Sequence, residues 1–158
     1  MSDSMRDPDV PDILVFPPIL LGGAMLFGAL LDWLHPIPLL PTAAARVLGA
    51  TFFVLCAALG YSAQRALRRA GTNISPNEPT LALVTDGPYR RTRNPLYLAG
   101  LGVYFGVALF INGLAPFLIL VPLAVLLHWG VVLREERYLT TKFGETYRAY
   151  QTQVRRWL

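Results

Sequence analysis

Four long apolar stretches constrain the fold of this chain more than any other feature. They cover residues 13–34, 43–63, 96–111 and 114–133. A helix needs about 20 mainly apolar residues to cross a hydrocarbon core of roughly 30 Å. Only 15% of the residues are charged, whereas charged residues make up about 25% of an ordinary soluble domain. We therefore predict an all-α integral membrane helical bundle with four transmembrane helices.

The segment that follows the fourth stretch has a different pattern. Between Arg134 and Tyr150, large apolar residues recur at helical spacing and charged residues stand between them. This pattern predicts a C-terminal amphipathic helix that extends the fourth span or lies on the membrane surface. We expect a single membrane domain over residues 1–158, with a flexible tail at 1–12, two N-terminal spans in 13–64 and the polar motifs in 71–158.

The positive charges are concentrated in two segments. Residues 65–93 and 134–156 contain twelve of the 14 Lys and Arg residues. Four spans place both segments and both termini on one side of the membrane, and the positive-inside rule makes that side cytoplasmic. We therefore expect a bacterial inner-membrane protein with cytoplasmic termini. Because the arginines adjoin apolar helices, membrane lipids are favoured as partners over nucleic acid.

Small and turn-forming residues indicate how the spans pack. Gly22, Gly23 and Gly28 give the first span a small face that suits close helix contact. Asn112-Gly113 predicts a tight turn, so the third and fourth spans should form an antiparallel hairpin.

The first polar motif, Arg93-Asn94-Pro95, stands directly before the third span. Proline favours the first turn of a helix, and the unpaired amide groups there attract anions. Arg90 and Arg91 add positive charge, and Tyr89 and Tyr97 flank the motif. These residues suit a carboxylate or a phosphate, although a basic cap at the membrane edge is the alternative.

The second polar motif is Glu135-Glu136, at the end of the fourth span. Adjacent residues of a helix do not share a face, so we expect one glutamate to face the bundle and the other to face water. The inward carboxylate could bind an amino group, pair with an arginine or act as a base; the alternative is an exposed charge pair. His128, two turns deeper, is expected to pack or to bond another helix.

No metal site is expected. Cys56 is the single cysteine, and CxxC, zinc-ligand and HExxH spacings are absent.

Together the motifs resemble a known family. Gly87-Pro-Tyr-Arg90, Arg93-Asn-Pro-Leu-Tyr97 and the pattern from Glu135-Glu136 to Arg156 are similar to the isoprenylcysteine carboxyl methyltransferase and phospholipid methyltransferase superfamily of integral membrane enzymes. The likeness covers residues 71–158, which would form the catalytic half. It implies S-adenosylmethionine as methyl donor, S-adenosylhomocysteine as product, and a lipid-like acceptor that enters from the bilayer.

The resemblance also implies roles for single residues. Arg93, Asn94 and Tyr97 match the family's Arg-His-Pro-x-Tyr element, with asparagine in place of histidine. Arg93 and Glu136 are expected to take part in catalysis. The residues expected to bind the cofactor are Tyr89, Arg93, Asn94, Tyr97, Glu135, Glu136, Tyr147 and Tyr150.

The sequence does not decide whether the methyl acceptor is a carboxylate, an amine or a thiol. Arg93 or Arg90 could orient a carboxylate, whereas an amine or thiol must lose a proton to a base such as Glu135 or Glu136. An alternative is a non-catalytic membrane protein of the same fold that binds lipid or a partner. A nicotinamide-dependent reductase of a related fold is a third hypothesis, which the pattern of Glu135-Glu136 and Phe143-Gly144 does not favour.

Overall fold

The computed structural model describes residues 9–158, and these residues form a helical bundle. The helices are α1 (Pro17–Leu34), α2 (Thr42–Arg69), α3 (Pro95–Ile111), α4 (Leu114–Leu127) and α5 (Leu133–Gln153). A 3₁₀ helix (Gly87–Arg90) lies in the connection between α2 and α3, and a π-helical turn (His128–Val132) joins α4 to α5. The all-α prediction is confirmed.

The apolar helices have the dimensions of a membrane bundle. By length and composition, α1, α2 and the continuous run from α4 into α5 can each cross a membrane. The fourth apolar helix, α3, is shorter, with 17 residues. The prediction of an integral membrane helical bundle is therefore confirmed.

Helix ends fall at the residues that favour them. α1 begins at Pro17 and α3 at Pro95, because the first turn of a helix does not use the amide hydrogen that proline lacks. α3 ends at Ile111, and the φ of 64° at the next residue, Asn112, places it in the left-handed region. Asparagine tolerates that region better than most residues. The expected tight turn between α3 and α4 is thus present.

The backbones of α2 and α3 pass very close to each other. A Cβ atom added to Gly49 would lie 2.5 Å from the nitrogen of Phe110, and one added to Gly106 would lie 2.7 Å from the nitrogen of Phe53. Small residues allow such contact between membrane helices, where lipid is as apolar as the side chains. These two glycines therefore set the separation of α2 and α3.

The expected glycine face of α1 is correct only in part. A Cβ atom on Gly28 would lie 3.1 Å from Cα of Pro116, so this position packs against α4. Gly22 and Gly23 are exposed and have no described neighbour within 4 Å of such an atom. They precede Gly28 by five and six residues, which places them on a different face of a helix with 3.6 residues per turn.

The bundle has two chemically different ends. At one end, which we call the far end, the 35–41 loop meets the Asn112-Gly113 turn. The Asn112 side chain donates to the carbonyl of Leu40 at 2.7 Å and accepts from its amide at 2.9 Å. The opposite end, the site end, contains residues 70–94 and α5. Both polar motifs therefore lie at one end of the bundle.

Residues 1–8 of the expected flexible tail lie outside the described residues. Residues 9–12 lie against α5 at the site end. Tyr138 donates its hydroxyl hydrogen to the carbonyl of Asp9 at 2.7 Å, and Arg134 Nη1 donates to the carbonyl of Asp12 at 3.0 Å.

The close contact between α2 and α3 leads to a stability prediction. Gly49→Ala should destabilise the protein by about 1–3 kcal/mol, because the new methyl group overlaps backbone atoms of α3 that cannot move away alone. Thermal unfolding in detergent measures the effect as a lower melting temperature. Gly22→Ala is the matched control and should leave the melting temperature unchanged or slightly higher, since alanine favours helices. Equal melting temperatures for the two variants would contradict the packing described here.

Candidate active site

A cavity opens at the site end between the start of α3, the start of α5 and the 73–84 segment. Its empty volume is about 740 Å³, including the space at its open mouth. The cavity is lined by all eight residues that were expected to bind a cofactor: Tyr89, Arg93, Asn94, Tyr97, Glu135, Glu136, Tyr147 and Tyr150.

The expected cluster of three arginines contributes one member to the cavity. Arg93 lines the cavity and its side chain is 10% exposed. Arg90 and Arg91 are exposed and do not line it. Both belong to the turn around the 3₁₀ helix, which directs their side chains to solvent.

The backbone around Arg93 is fixed by the segment that follows α5. The amide of Arg93 donates to the carbonyl of Arg155 at 2.9 Å. The hydroxyl of Thr92 and the side-chain amide of Asn94 both donate to the carbonyl of Arg156, each at 3.0 Å. Two parts of the chain more than sixty residues apart are thus joined beside the cavity.

Glu136 is a buried carboxylate between two arginines. It is 5% exposed. Its Oε2 accepts from Nε and Nη2 of Arg156 at 3.0 and 2.9 Å, and its Oε1 lies 3.5 Å from Nη2 of Arg93. The hydrogen bonds to Glu136 raise the pKa of the Arg156 guanidinium. A buried charge is costly unless it is paired, so this arrangement explains how a glutamate is retained at the end of an apolar helix.

Two polar atoms of this group lack hydrogen-bond partners among the described residues. They are Oε1 of Glu136 and Nε of Arg93, and both are buried. Leaving a buried polar group unsatisfied costs about 1–3 kcal/mol, and more for a charged group. Both residues line the cavity, so a ligand with one donor and one acceptor can satisfy both atoms.

Glu135 faces the same cavity, which corrects the expectation that one glutamate would face water. Its Oε2 accepts the hydroxyl hydrogen of Tyr97 at 2.7 Å. Neighbouring helix positions do differ in direction, by about 100°. The cavity nevertheless receives both side chains, because its lining runs from the start of α3 past both glutamates to Tyr147 and Tyr150.

Aromatic side chains close one wall of the cavity. A break in α5 at Gly144, with φ 54° and ψ −128°, redirects the helix before Tyr147 and Tyr150. The Tyr150 hydroxyl donates to the carbonyl of Tyr89 at 2.6 Å. Burial, together with the nearby Glu135, raises the pKa of Tyr89 well above its ordinary value. The Tyr89 phenol is therefore neutral and available as a hydrogen-bond donor.

The expected binding residues omitted one group of cavity residues and one residue that bonds the cavity residue Glu136. The first is the 73–84 segment, which includes Asn73, Thr80 and Val84. The sequence did indicate a role for this segment, because a long connection that contains apolar residues is commonly functional. The second is Arg156, the final residue of the matching pattern, which nothing in its local sequence distinguishes from the basic residue beside it.

His128 forms a hydrogen bond, as expected, but its partner lies in the segment after α5 and not in another helix. Its Nδ1 accepts from Nε1 of Trp157 at 3.3 Å. His128 also begins the π-helical turn, a feature that occurs often near functional sites.

Comparison with known proteins identifies a family for this chain. The model of the phospholipid methyltransferase family matches residues 44–146. The chain belongs to this family. The match includes the start of α3 and both glutamates, and it ends before Tyr147 and Tyr150. It also begins within α2, earlier than the resemblance over residues 71–158 indicated.

Family membership supports a membrane methyltransferase that acts on a lipid-like molecule. The chain is also 33% identical over 63 residues to an uncharacterized protein of Haemophilus influenzae. The matched residues are 40% of this chain and the full length of that protein.

The buried ion pairs of Glu136 lead to a second stability prediction. Glu136→Gln should destabilise the protein by about 3 kcal/mol, because Arg93 and Arg156 lose the negative charge that compensates them. A lower melting temperature in detergent measures this loss. Glu145→Gln breaks an exposed pair with Arg148 and should change stability by less than about 1 kcal/mol. If the two variants unfold at the same temperature, the buried pairs contribute no more than the exposed one.

Proposed function

We propose that this protein transfers a methyl group from S-adenosylmethionine to a lipid-like acceptor at the cytoplasmic face of a bacterial inner membrane. The observation that carries the proposal is the pair of unsatisfied atoms, Glu136 Oε1 and Arg93 Nε, in residues that line one cavity. The family membership supports the same reaction class.

The residues present fit this cofactor. Its amino-acid end has an ammonium group, which donates hydrogen bonds, and a carboxylate, which accepts them. Glu136 Oε1 can accept from the ammonium group, and Arg93 Nε can donate to the carboxylate. Tyr89 and Tyr97 contribute further polar groups, while Tyr147 and Tyr150 cover the cavity. When bound, the cofactor supplies an electrophilic methyl group attached to a sulfonium.

The two glutamates then have different functions. Each oxygen of Glu136 faces a guanidinium group, so Glu136 holds Arg93 and Arg156 in place and binds the cofactor. Glu135 receives a hydrogen bond from Tyr97 and keeps further capacity to accept a proton. Glu135 is therefore the better base for an amine or thiol acceptor. For a carboxylate acceptor, which needs no base, Arg93 provides the orienting charge.

The direction of the bundle in the membrane follows from its charges. The site end has Arg65, Arg68 and Arg69 at the end of α2, in addition to Arg93 and Arg156. The far end has Arg46 near the start of α2. The positive-inside rule then places the site end, with both termini, in the cytoplasm. The cofactor and the lipid acceptor can meet there, one from the aqueous side and one from the bilayer.

Cofactor binding tests the proposal directly. Isothermal titration calorimetry on the detergent-purified protein should detect binding of S-adenosylmethionine and S-adenosylhomocysteine. Arg93→Ala and Glu136→Ala should each weaken binding at least about tenfold, since each removes a charge-assisted hydrogen bond. Arg137→Ala is the control, because Arg137 is exposed and bonds the carbonyl of Leu133 in its own helix.

Absence of binding to the wild-type protein at millimolar cofactor would favour a non-catalytic membrane protein of the same fold. Binding that is unchanged in both alanine variants would place the cofactor somewhere other than this cavity.

Membrane orientation has its own test. A reporter that is active only in the cytoplasm should be active when fused after Leu158, since the site end is predicted to face inward. The same reporter inserted in the 35–41 loop should be inactive, because this loop lies at the far end. The reverse pattern would show that the site end faces the periplasm.

A further inference from the structure

The segment after α5 lies against the 92–94 segment, which leads into the start of α3. We call residues Val154–Trp157 the C-terminal strap. α5 ends at Gln153, and Val154 has φ −124° and ψ 131°. The strap carbonyls of Arg155 and Arg156 accept the three hydrogen bonds from the 92–94 segment described above. The strap therefore fixes the backbone from which Arg93 enters the cavity.

The strap also supplies a positive charge to Glu136, which lines the cavity. The guanidinium of Arg156 makes two hydrogen bonds to Oε2 of Glu136, which leaves Oε1 directed toward Arg93. The position of the strap thus sets the position of the carboxylate that we propose binds the cofactor. The anchoring of the strap is therefore important for the site.

The outer end of the strap is held by His128. Nε1 of Trp157 donates to Nδ1 of His128 at 3.3 Å. The centroids of the two rings are 5.9 Å apart, and the ring planes make an angle of 38°. An indole N–H is a donor only, so Nδ1 must be the unprotonated nitrogen of the imidazole. His128 belongs to the π-helical turn and not to the residues that line the cavity.

We propose that His128 is a positioning residue, which anchors the C-terminal strap through Trp157 and so holds Arg156 and Arg93 in their binding geometry. The π-helical turn places His128 on the side of the α4–α5 helix that the strap reaches. The effect on cofactor affinity rests on the proposed function, whereas the anchoring of the strap does not.

The anchor could act through its hydrogen bond or only through packing of the two rings, and two variants separate these cases. His128→Asn removes the ring but keeps an acceptor oxygen close to the position of Nδ1. His128→Phe keeps an aromatic ring but has no acceptor. Trp157→Phe removes the donor from the other side of the bond and retains a ring, so it tests the same bond if His128→Phe does not fold.

Hydrogen exchange gives a readout that needs no cofactor. The Arg93 amide is bonded to the strap carbonyl of Arg155, so its exchange reports detachment of the strap. In detergent without ligand, His128→Phe and Trp157→Phe should speed exchange of the peptide containing Arg93 by roughly 3- to 10-fold, the loss expected for one hydrogen bond. His128→Asn should exchange at the wild-type rate. Affinity for S-adenosylmethionine should fall by a similar factor in the two phenylalanine variants.

The matched control is Trp129→Phe. Trp129 is 59% exposed, and its ring centroid lies 4.9 Å from that of His128 with the two planes nearly perpendicular. This change therefore alters the same group of aromatic rings without removing the hydrogen bond between Trp157 and His128. It should leave both exchange and affinity unchanged.

Wild-type exchange in both phenylalanine variants would overturn the proposal, and so would equally fast exchange in His128→Asn and His128→Phe. If the wild-type protein binds no cofactor, the exchange rates still decide whether His128 anchors the strap. If the wild-type protein binds cofactor and the phenylalanine variants exchange at the wild-type rate, His128 does not anchor the strap, while the proposed function stands.

Discussion

The structure of the site end depends on one buried negative charge. Glu136 follows a helix that is apolar throughout, and its carboxylate is almost fully removed from solvent. Such a charge requires partners. It takes one from the start of α3, Arg93, and one from the C-terminal strap, Arg156. These two segments are distant in the chain, so their pairing with one carboxylate determines how α3, α5 and the strap meet.

The helices provide a support that does not itself need polar residues. Contact of α2 with α3 at Gly49 and Gly106, and of α1 with α4 at Gly28, brings the four apolar helices together through small residues. At the far end, the loop and the turn are joined by backbone groups and one asparagine side chain. Most of the polar contacts among the described residues are therefore at the site end.

Much of this arrangement could be predicted from local sequence. Apolar length predicted the bundle, Pro95 predicted the start of α3, and Asn112-Gly113 predicted the turn. The eight expected binding residues do line one cavity. The two polar motifs stand at ends of apolar helices that lie on the same side of the bundle, so their side chains lie close together. The roles of these residues stay predictions until binding is measured.

Other features could not be predicted, because they depend on contacts distant in sequence. The direction of Glu135 depends on the lining of the cavity, which runs from the start of α3 past both glutamates to Tyr147 and Tyr150. The position of Arg156 depends on the strap, in which the Arg156 carbonyl accepts hydrogen bonds from Thr92 and Asn94. The exposure of Gly22 and Gly23 depends on which face of α1 meets α4. Helical periodicity describes each helix but does not determine which of its faces a neighbour covers.

The order of these segments along the chain has a consequence for biogenesis. The strap is synthesised after all four apolar helices, yet it supplies the arginine and the carbonyl groups that complete the site. The helices can enter the bilayer by their hydrophobicity alone, whereas the pairing of Glu136 with Arg156 can form only after the strap has been synthesised. Membrane insertion and maturation of the site are therefore separate steps. During the interval between them, water at the membrane surface must solvate the Glu136 carboxylate in place of Arg156.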